Sequence, residues 1–416
     1  MKARAISDYI LKKNNSSLGR IIVLTGARQT GKTTISRHCF PDYTYLSIED
    51  PVLRNNFAKL TASQWHVLYP NAILDEVQKK PELIESIKSV YDQYENTHYV
   101  LSGSSQFLLM EKVKESLAGR CIIIETYPLT LPELTSNDWK IKLSTSFFVQ
   151  YLSGSTGIEQ LYPSFLLDPT FATKQNAYNH YLHYGGYPIL TNDSLSDEDR
   201  WEWLNMYVKT FLERDIRDLV SFRDLEPFVK LQRYLALFTG ALINYSSIAK
   251  ETGVSVPTIQ RYIRYMEMSY QTVILPAWQA NPVKKLVKAP KAHFLDQGVL
   301  KAILQKRGGM TGNEYESLII AEIYKQAKNH RLPVTLYHFR TQDGKEVDLL
   351  IETADYFIAI EIKMTEKVSK TDARHLNNLQ EILNKPLKHS FILSNDVDTQ
   401  HFGDNITAVH AASFLG

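Results

Sequence analysis

Cysteine is nearly missing from this 416-residue sequence: Cys39 and Cys121 are all there is. Two thiols exclude a disulfide framework and a cysteine-rich zinc site, and they fit a reduced, cytoplasmic setting. Long apolar runs are missing as well. None approaches the roughly 18 residues that span a bilayer, so no membrane partner is expected. The opening MKARAISDYILKKNN reads as a basic amphipathic helix and lacks the apolar stretch of a secretory signal. Charge of one sign is also lacking: 47 Lys and Arg face 45 Asp and Glu, a formal balance of +2. Any affinity for a polyanion must therefore come from local patches. Repeats and low-complexity tracts are absent. The remaining composition, 44% apolar and 22% charged, is that of a globular chain, and the length predicts two or three domains.

What is present is an α/β pattern. Between residues 20 and 130, RIIVLTG, YTYLSIED, NAILDE, HYVLSGSS and RCIIIETYPL are short, rich in β-branched residues and separated by helical stretches. Each ends in polar or glycine residues, as strands of a buried parallel sheet do. Residues 131–180 are less regular and read as an insertion closing a first domain, 1–180. A helical, aromatic-rich stretch follows over 181–245, a compact unit of helices and a hairpin over 246–300, and a second mixed α/β pattern over 311–416.

GARQTGKTT follows the first strand directly and precedes a helix, placing Gly26, Gly31, Lys32 and Thr33 in the order G-x-x-x-x-G-K-T. Glycines there let backbone N–H groups turn inward around phosphate oxygens, and the helix start adds partial positive charge. Lys32 is expected to reach the β- and γ-phosphates of ATP and Thr33 to hold Mg²⁺, with Arg28 and Thr34 beside them in the binding loop. NAILDEVQ supplies the carboxylates: Asp75 to order the magnesium shell and Glu76 to polarise the attacking water. Two solvated acids at a strand end are the plainer reading. Ser104 or Ser105, in YVLSGSSQ, stands where a hydroxyl senses the γ-phosphate, although Ser/Gly clusters usually make turns.

On these residues the chain resembles an AAA-superfamily ATPase, of a prokaryotic group with a GxRQxGKTT loop, an acidic hhDEhQ motif and SLAGR before the next strand. The resemblance implies that Arg120, in SLAGRCIIIETYPL, is an arginine finger acting on a neighbouring subunit's nucleotide, hence a homo-oligomeric ring or arc, a hexamer among the forms this allows. The alternative is a surface arginine capping a helix. HYGGYPIL (Gly185, Gly186, Pro188) and FLERDIRDLV resemble the lid of this group, with Arg214 as a second sensor or a structural ion-pair partner.

INYSSIAKETGVSVPTIQRYIRYMEMS reads as helix, turn, helix, with Ser255 as N-cap and Pro257 opening the second helix. Ile259, Ile263 and Met266 share one face; Thr258, Gln260, Arg261 and Arg264 lie elsewhere and are candidates for a DNA groove. The following hairpin carries Lys284, Lys285, Lys288 and Lys291, as the wing of a winged helix would. From 246 to 291 seven Lys/Arg stand against two Asp/Glu, a local balance of +5. That patch suits phosphate contact more than base readout, and winged helices also serve as protein-contact modules.

From residue 311 a helix, TGNEYESLIIAEIYKQAKN, precedes three strand-like runs, PVTLYHFRTQ, KEVDLLIET and YFIAIEIKM, then a helical SKTDARHLNNLQEILN and a strand HSFILSN. A hairpin turn near 353–355 would bring Asp348 and Glu361 to comparable heights on adjacent strands, and alternation puts Glu361 and Lys363 on one face. Hard carboxylate oxygens suit Mg²⁺ or Mn²⁺. The helix, the meander and the E-x-K resemble the restriction-endonuclease-like fold, which includes archaeal Holliday-junction resolvases. The resemblance implies that Asp348 and Glu361 bind metal, that Lys363 positions or deprotonates water, and that Glu316 is an extra acid; Gln380 is a weaker candidate. A solvated hairpin with an internal Glu–Lys pair is the alternative.

Together these readings predict an ATP-driven, oligomeric machine processing DNA, branched DNA by analogy with the resolvases. The competing expectation is a regulatory P-loop ATPase whose C-terminal domain is a catalytically silent interaction module.

Overall fold

The computed structural model describes residues 1–416 apart from 104–112, 114, 162–167, 212–224, 281–287, 342–343 and 404. Ser104, Ser105, Arg214, Lys284 and Lys285 lie outside the described residues.

The five runs of the first region form strands β1 (Ile21–Gly26), β2 (Thr44–Ser47), β3 (Asn71–Asp75), β4 (His98–Ser102) and β5 (Ile122–Thr126). They make one all-parallel sheet in the order β2-β3-β4-β1-β5. Both faces are covered, which is why β1 is buried at every position and carries no polar alternation. The order separates the loop-bearing strand β1 from the acid-bearing β3 by β4, and all C-terminal ends gather along one edge.

A pair of helices, Tyr245–Thr252 and Val256–Met268, leads to a two-stranded antiparallel hairpin of β6 (Thr272–Leu275) and β7 (Lys291–Phe294). Gly253 makes the turn between the helices with φ of 72°. Ile259, Tyr262, Ile263 and Met266 are buried at helical spacing, as the pattern requires. Ser255 stands before the second helix, but its hydroxyl donates to Thr258 Oγ1 (2.9 Å) and caps no backbone N–H.

The C-terminal region holds β8 (Thr335–Arg340), β9 (Glu346–Glu352), β10 (Phe357–Ile362), β11 (Leu387–Ser394), β12 (Gln400–His401) and β13 (Ile406–His410), ordered β12-β13-β11-β10-β9-β8. The meander β8-β9-β10 is antiparallel and β10, β11 and β13 run parallel. Two expectations need correction here. SKTDARHLNNLQEILN is no helix: Ala373, Leu376, Leu379 and Leu383 are buried at the expected spacing, but the backbone runs as turns with a short 3-10 segment, Leu379–Glu381. Asn378, at φ of 55°, is outside the helical range. Two further strands, β12 and β13, also follow the run that was expected to end the sheet.

The helix Phe171–Tyr184 runs across the expected boundary at residue 180. The segment expected to be an insertion folds as helices Leu131–Thr135, Phe147–Leu152 and Phe171–Tyr184, and these pack on the helix Gly312–Asn329 and the C-terminal sheet. Phe147 packs against Phe414 with rings tilted by 49° (centroids 5.4 Å), and Tyr178 donates a hydrogen bond to the Tyr315 hydroxyl (2.8 Å). The glycines of HYGGYP serve this junction. Gly186 N–H donates to Asp296 Oδ2 (2.8 Å), and its carbonyl accepts from Leu129 N–H (2.6 Å). A side chain there would stand 2.3 Å from the Leu129 carbonyl oxygen, so only glycine allows the crossing.

Candidate functional site

The loop between β1 and the helix Lys32–Cys39 is built on two glycines. Gly26, at φ of 144°, passes so close to β5 that an added Cβ would lie 2.2 Å from the Thr126 carbonyl oxygen. Gly31, at φ of 89°, precedes the helix. Lys32 is buried and its Nζ donates to the carbonyls of Gly26 (2.9 Å) and Ala27 (2.7 Å), which fixes its charge at the mouth of the loop. Thr33 Oγ1 donates to Asp75 Oδ2 at 2.8 Å, so β1 and β3 deliver a hydroxyl and a carboxylate to one point. That donor pair fits Mg²⁺, a hard cation that takes oxygen ligands and keeps several waters. Arg28 and Thr34 are half-buried beside it.

Asp75 is held from two strands as well as from Thr33. Tyr45 of β2 donates to Oδ2 (2.7 Å), and Ser102, in register with Asp75 on β4, donates to Oδ1. Burial and this bond push the Tyr45 hydroxyl up to about 12, so it stays a donor. Ser102, the β4 hydroxyl on Asp75, lies two places before Ser104, a serine that sequence singled out for the γ-phosphate. Glu76 takes a left-handed φ of 59°, and the Gln78 amide donates to its Oε2 (2.5 Å); the glutamine of DEVQ orients the glutamate. Another residue missed by sequence is Arg4. Its buried guanidinium donates to the carbonyls of Thr30 (2.6 Å) and Tyr127 (2.7 Å) and pairs with Glu133 (3.1 Å), bracing the loop from the N-terminal segment.

Arg120 precedes β5, at the edge of the sheet opposite the loop. Four strand steps of roughly 3.3 Å separate the two edges, so it cannot serve the nucleotide of its own subunit. It is half-buried and paired with Asp92 (2.8 Å) on the helix Glu82–Gln93.

The acidic cleft lies at the end of the β9–β10 hairpin. The register pairs Ile360 with Leu349, and continuing it one step sets Glu361 opposite Asp348. Asp348 is buried and accepts from Ile362 N–H (2.8 Å). Lys363 Nζ donates to Glu361 Oε1 (2.7 Å), while Glu361 Oε2 is buried with no hydrogen-bond partner. A cavity of about 400 Å³ opens over these residues, with Thr371, Asp372, Arg374 and His375 on its far side. Burial and then the Asp348 charge push Glu361 up to about 8. Burial also raises Asp348. Burial alone would lower Lys363, but Glu361 beside it prevails and its pKa is raised.

Glu316 does not face the cleft as a free ligand. Its Oε1 is 2.9 Å from Nζ of Lys291, a buried lysine that also pairs with Glu346 (2.9 Å). Burial and Asp348 nevertheless raise Glu316 to about 8. Among the described residues no group of three or more His, Cys, Asp and Glu side chains is placed to hold a metal ion. Asp348 and Glu361, with the orphaned Oε2, fit a divalent cation as a two-carboxylate site completed by water. Gln380 is not part of the cleft; its amide binds the chain entering β11, donating to the Lys385 carbonyl (3.3 Å) and accepting from Leu387 N–H.

The raised carboxylates set a pH dependence. Between about 4.5 and about 8 the folded chain holds protons that the unfolded chain has lost, so stability without metal falls as pH rises through that window. A divalent cation competes with those protons for the same oxygens. Added Mg²⁺ should therefore raise the thermal midpoint more at pH 8.5 than at pH 6.5, and Asp348→Ala should remove most of the difference.

On the helix pair, Gln260, Arg261 and Arg264 are exposed and Thr258 is half-buried. Lys288 is exposed and donates to the Arg340 carbonyl (3.1 Å). Lys291 leaves the expected basic patch, because it is buried on β7 between Glu316 and Glu346. The unit is tied to the parallel sheet through Tyr270, whose hydroxyl donates to Glu125 (3.2 Å) and lies 3.4 Å from Thr25 Oγ1.

Residues 18–135 match the family profile of an AAA domain, and residues 175–308 and 311–414 match two domains of unknown function, DUF8612 and DUF4143. An uncharacterized protein of Mycobacterium tuberculosis, Rv2008c, is 26% identical over 395 residues, covering 91% of this chain and 79% of its own length. An uncharacterized protein of Haemophilus influenzae is 22% identical over 322 residues, covering 76% and 70%. Among solved structures, the Walker-type ATPase PABY2304 of Pyrococcus abyssi aligns with 71% of this chain and 95% of its own, at 16% identity and a TM-score of 0.41. The AAA match and the geometry of the loop, Lys32, Thr33 and Asp75 make the first region a P-loop ATPase domain. Among the described residues no helix is long and apolar enough to cross a membrane.

Proposed function

We propose that this chain is an ATP-driven, oligomeric machine that acts on DNA, with branched DNA as the favoured substrate. The observation that carries the reading is the acidic cleft. Asp348 and Glu361 stand opposite each other on β9 and β10, Lys363 is bonded to Glu361, and all three belong to the same chain as a P-loop. Exposed Gln260, Arg261, Arg264 and Lys288, with Lys284 and Lys285 nearby in sequence, support DNA contact by a winged-helix unit. In this reading Lys32, Thr33 and Asp75 bind the triphosphate and its magnesium, Glu76 polarises water, and Arg120 acts on a neighbouring subunit. In the cleft Asp348 and Glu361 would hold a divalent cation, which would supply Lewis-acid activation of water, and Lys363, whose raised pKa keeps it protonated, would orient that water.

One observation favours a second reading, a regulatory ATPase with a silent C-terminal module: Lys291 occupies Glu316, so Asp348 and Glu361 lack the extra acid as a free ligand. A cleavage panel separates the two. Single strands, linear duplex, forks and four-way junctions are incubated with Mg²⁺ or Mn²⁺, with and without ATP, beside Asp348→Ala. Junction cuts that vanish in the variant are the expected result. No cuts on any substrate, with ATPase activity intact, would remove the nuclease from the reading and leave the regulatory one.

A further inference from the structure

A cavity of about 550 Å³ lies where the ATPase sheet meets the C-terminal core. One wall comes from the ATPase side: Arg4, Tyr9, and His38 and Cys39 at the far end of the helix that springs from the loop. The other carries Trp139 and Asn329, the last residue of the helix Gly312–Asn329. Asn329 is 2% exposed, and neither its Oδ1 nor its Nδ2 has a hydrogen-bond partner. Buried amides are rarely left with donor and acceptor both unmatched, and one that lines a cavity points to a ligand that matches them. Trp139 and His38 have ring centroids 4.7 Å apart and offer flat faces beside it. The Cys39 thiol, pushed up to about 11 by burial, stays neutral and adds an apolar wall.

The cavity is joined to the phosphate loop through Arg4. Arg4, in its wall, donates to the Thr30 carbonyl of the loop, 2.6 Å away. From Lys32 to Cys39 the helix advances ~10 Å at about 1.5 Å per residue, a distance that ribose and base can cover from phosphates held at its start.

We infer that this cavity receives the base of the nucleotide whose phosphates lie on the P-loop, and that Asn329 reads that base as adenine. The inference rests on residues 26–34 being a working ATP site. A carboxamide presents a donor beside an acceptor, the complement of adenine N6–H and N7, and aromatic faces stack on any base. Asn329 belongs to the C-terminal unit, so a bound adenine is gripped by both halves of the molecule. Nucleotide release then loosens the seam between them.

The test is titration calorimetry on the full chain with ATP, GTP, inorganic tripolyphosphate and adenosine. Wild type should prefer ATP to GTP. Asn329→Leu, similar in volume but without the amide, should bind ATP about tenfold more weakly, within the range for one bidentate base contact, and lose most of the preference. Its affinity for tripolyphosphate should not change. ATP, but not tripolyphosphate, should quench the part of the tryptophan emission that Trp139→Phe removes, which gives a readout in the unaltered amide background. Unchanged ATP affinity and selectivity in a folded Asn329→Leu variant would overturn the inference while leaving the P-loop site standing. A wild-type preference for GTP would also overturn it. So would adenosine that binds Lys32→Ala normally and is not displaced by ATP, since that describes a separate nucleoside site. Absence of both ATP and tripolyphosphate binding in wild type would instead defeat the ATPase reading itself.

Discussion

Lys32→Ala should lower ATP turnover by about 10²–10³-fold or more, the order expected when a donor that stabilises developing charge is removed. The fold should persist, because the variant deprives the loop carbonyls of Gly26 and Ala27 of a donor, and under-satisfied carbonyls are tolerated better than orphaned N–H groups. DNA binding should be nearly unchanged. Loss of DNA binding along with turnover would mean that nucleotide assembles the particle and does not drive it. The variant also tests Arg120. If Arg120 acts in trans, as its place at the opposite sheet edge requires of any catalytic role, Lys32→Ala and Arg120→Ala subunits should each be inactive alone. Mixed, they should regain part of the activity, because some interfaces then pair an intact loop with an intact arginine. Two inactive populations that stay inactive when mixed into a common oligomer would return Arg120 to its bond with Asp92.

Lys325→Met should destabilise the protein by about 3–5 kcal/mol, the usual cost of stranding one member of a buried ion pair. Lys325 and Glu322 are both fully buried on the helix Gly312–Asn329, 3.0 Å apart. The contact is ionic more than directional, since Glu322 Oε2 has no well-aligned donor. Lys325 also donates to the Leu129 carbonyl (2.9 Å) and lies over the Tyr181 ring (4.4 Å), while Glu322 Oε1 accepts from Leu131 N–H (2.7 Å). The pair therefore joins the helix to the segment that leaves β5. Adding Glu322→Gln to Lys325→Met should restore much of the loss, because the amide keeps its acceptor for Leu131 and no charge remains. Urea unfolding of both variants decides it; a single variant as stable as wild type would mean that water reaches the pair.

How far the sequence could be read depended on the distance over which each contact acts. The phosphate loop was legible because its chemistry sits within a few consecutive residues between a strand and a helix. Asp348 and Glu361 were legible because one short turn, with Thr353 N–H on the Tyr356 carbonyl (2.9 Å), sets their register. Arg4 was not, since its partners lie 26, 123 and 129 residues away and nothing local marks it. Lys291 misled in the opposite sense: it closes a run of lysines and counts as surface charge until β7 turns it inward onto Glu316. The turn region 369–384 kept a helical spacing of apolar residues without the helix, because burial fixes the side chains and Asn378 breaks the backbone. Residues 131–180 were opaque because their apolar positions are complementary to a sheet formed more than 150 residues later.

That complementarity bears on heredity as well as on packing. Recombination between genes is tolerated where few contacts cross the join, usually in an exposed linker. The loop before residue 311 has that appearance in the sequence, yet a crossover there would part Phe147, Tyr151 and Tyr178 from Phe391, Phe414 and Tyr315, and leave two bare apolar faces. The ATPase and the acidic cleft are therefore not exchangeable cassettes. A lineage that alters one must carry the other with it, and substitutions on the helices Phe147–Leu152 and Phe171–Tyr184 should be compensated in the C-terminal sheet more than in the phosphate loop to which they are closer in the gene.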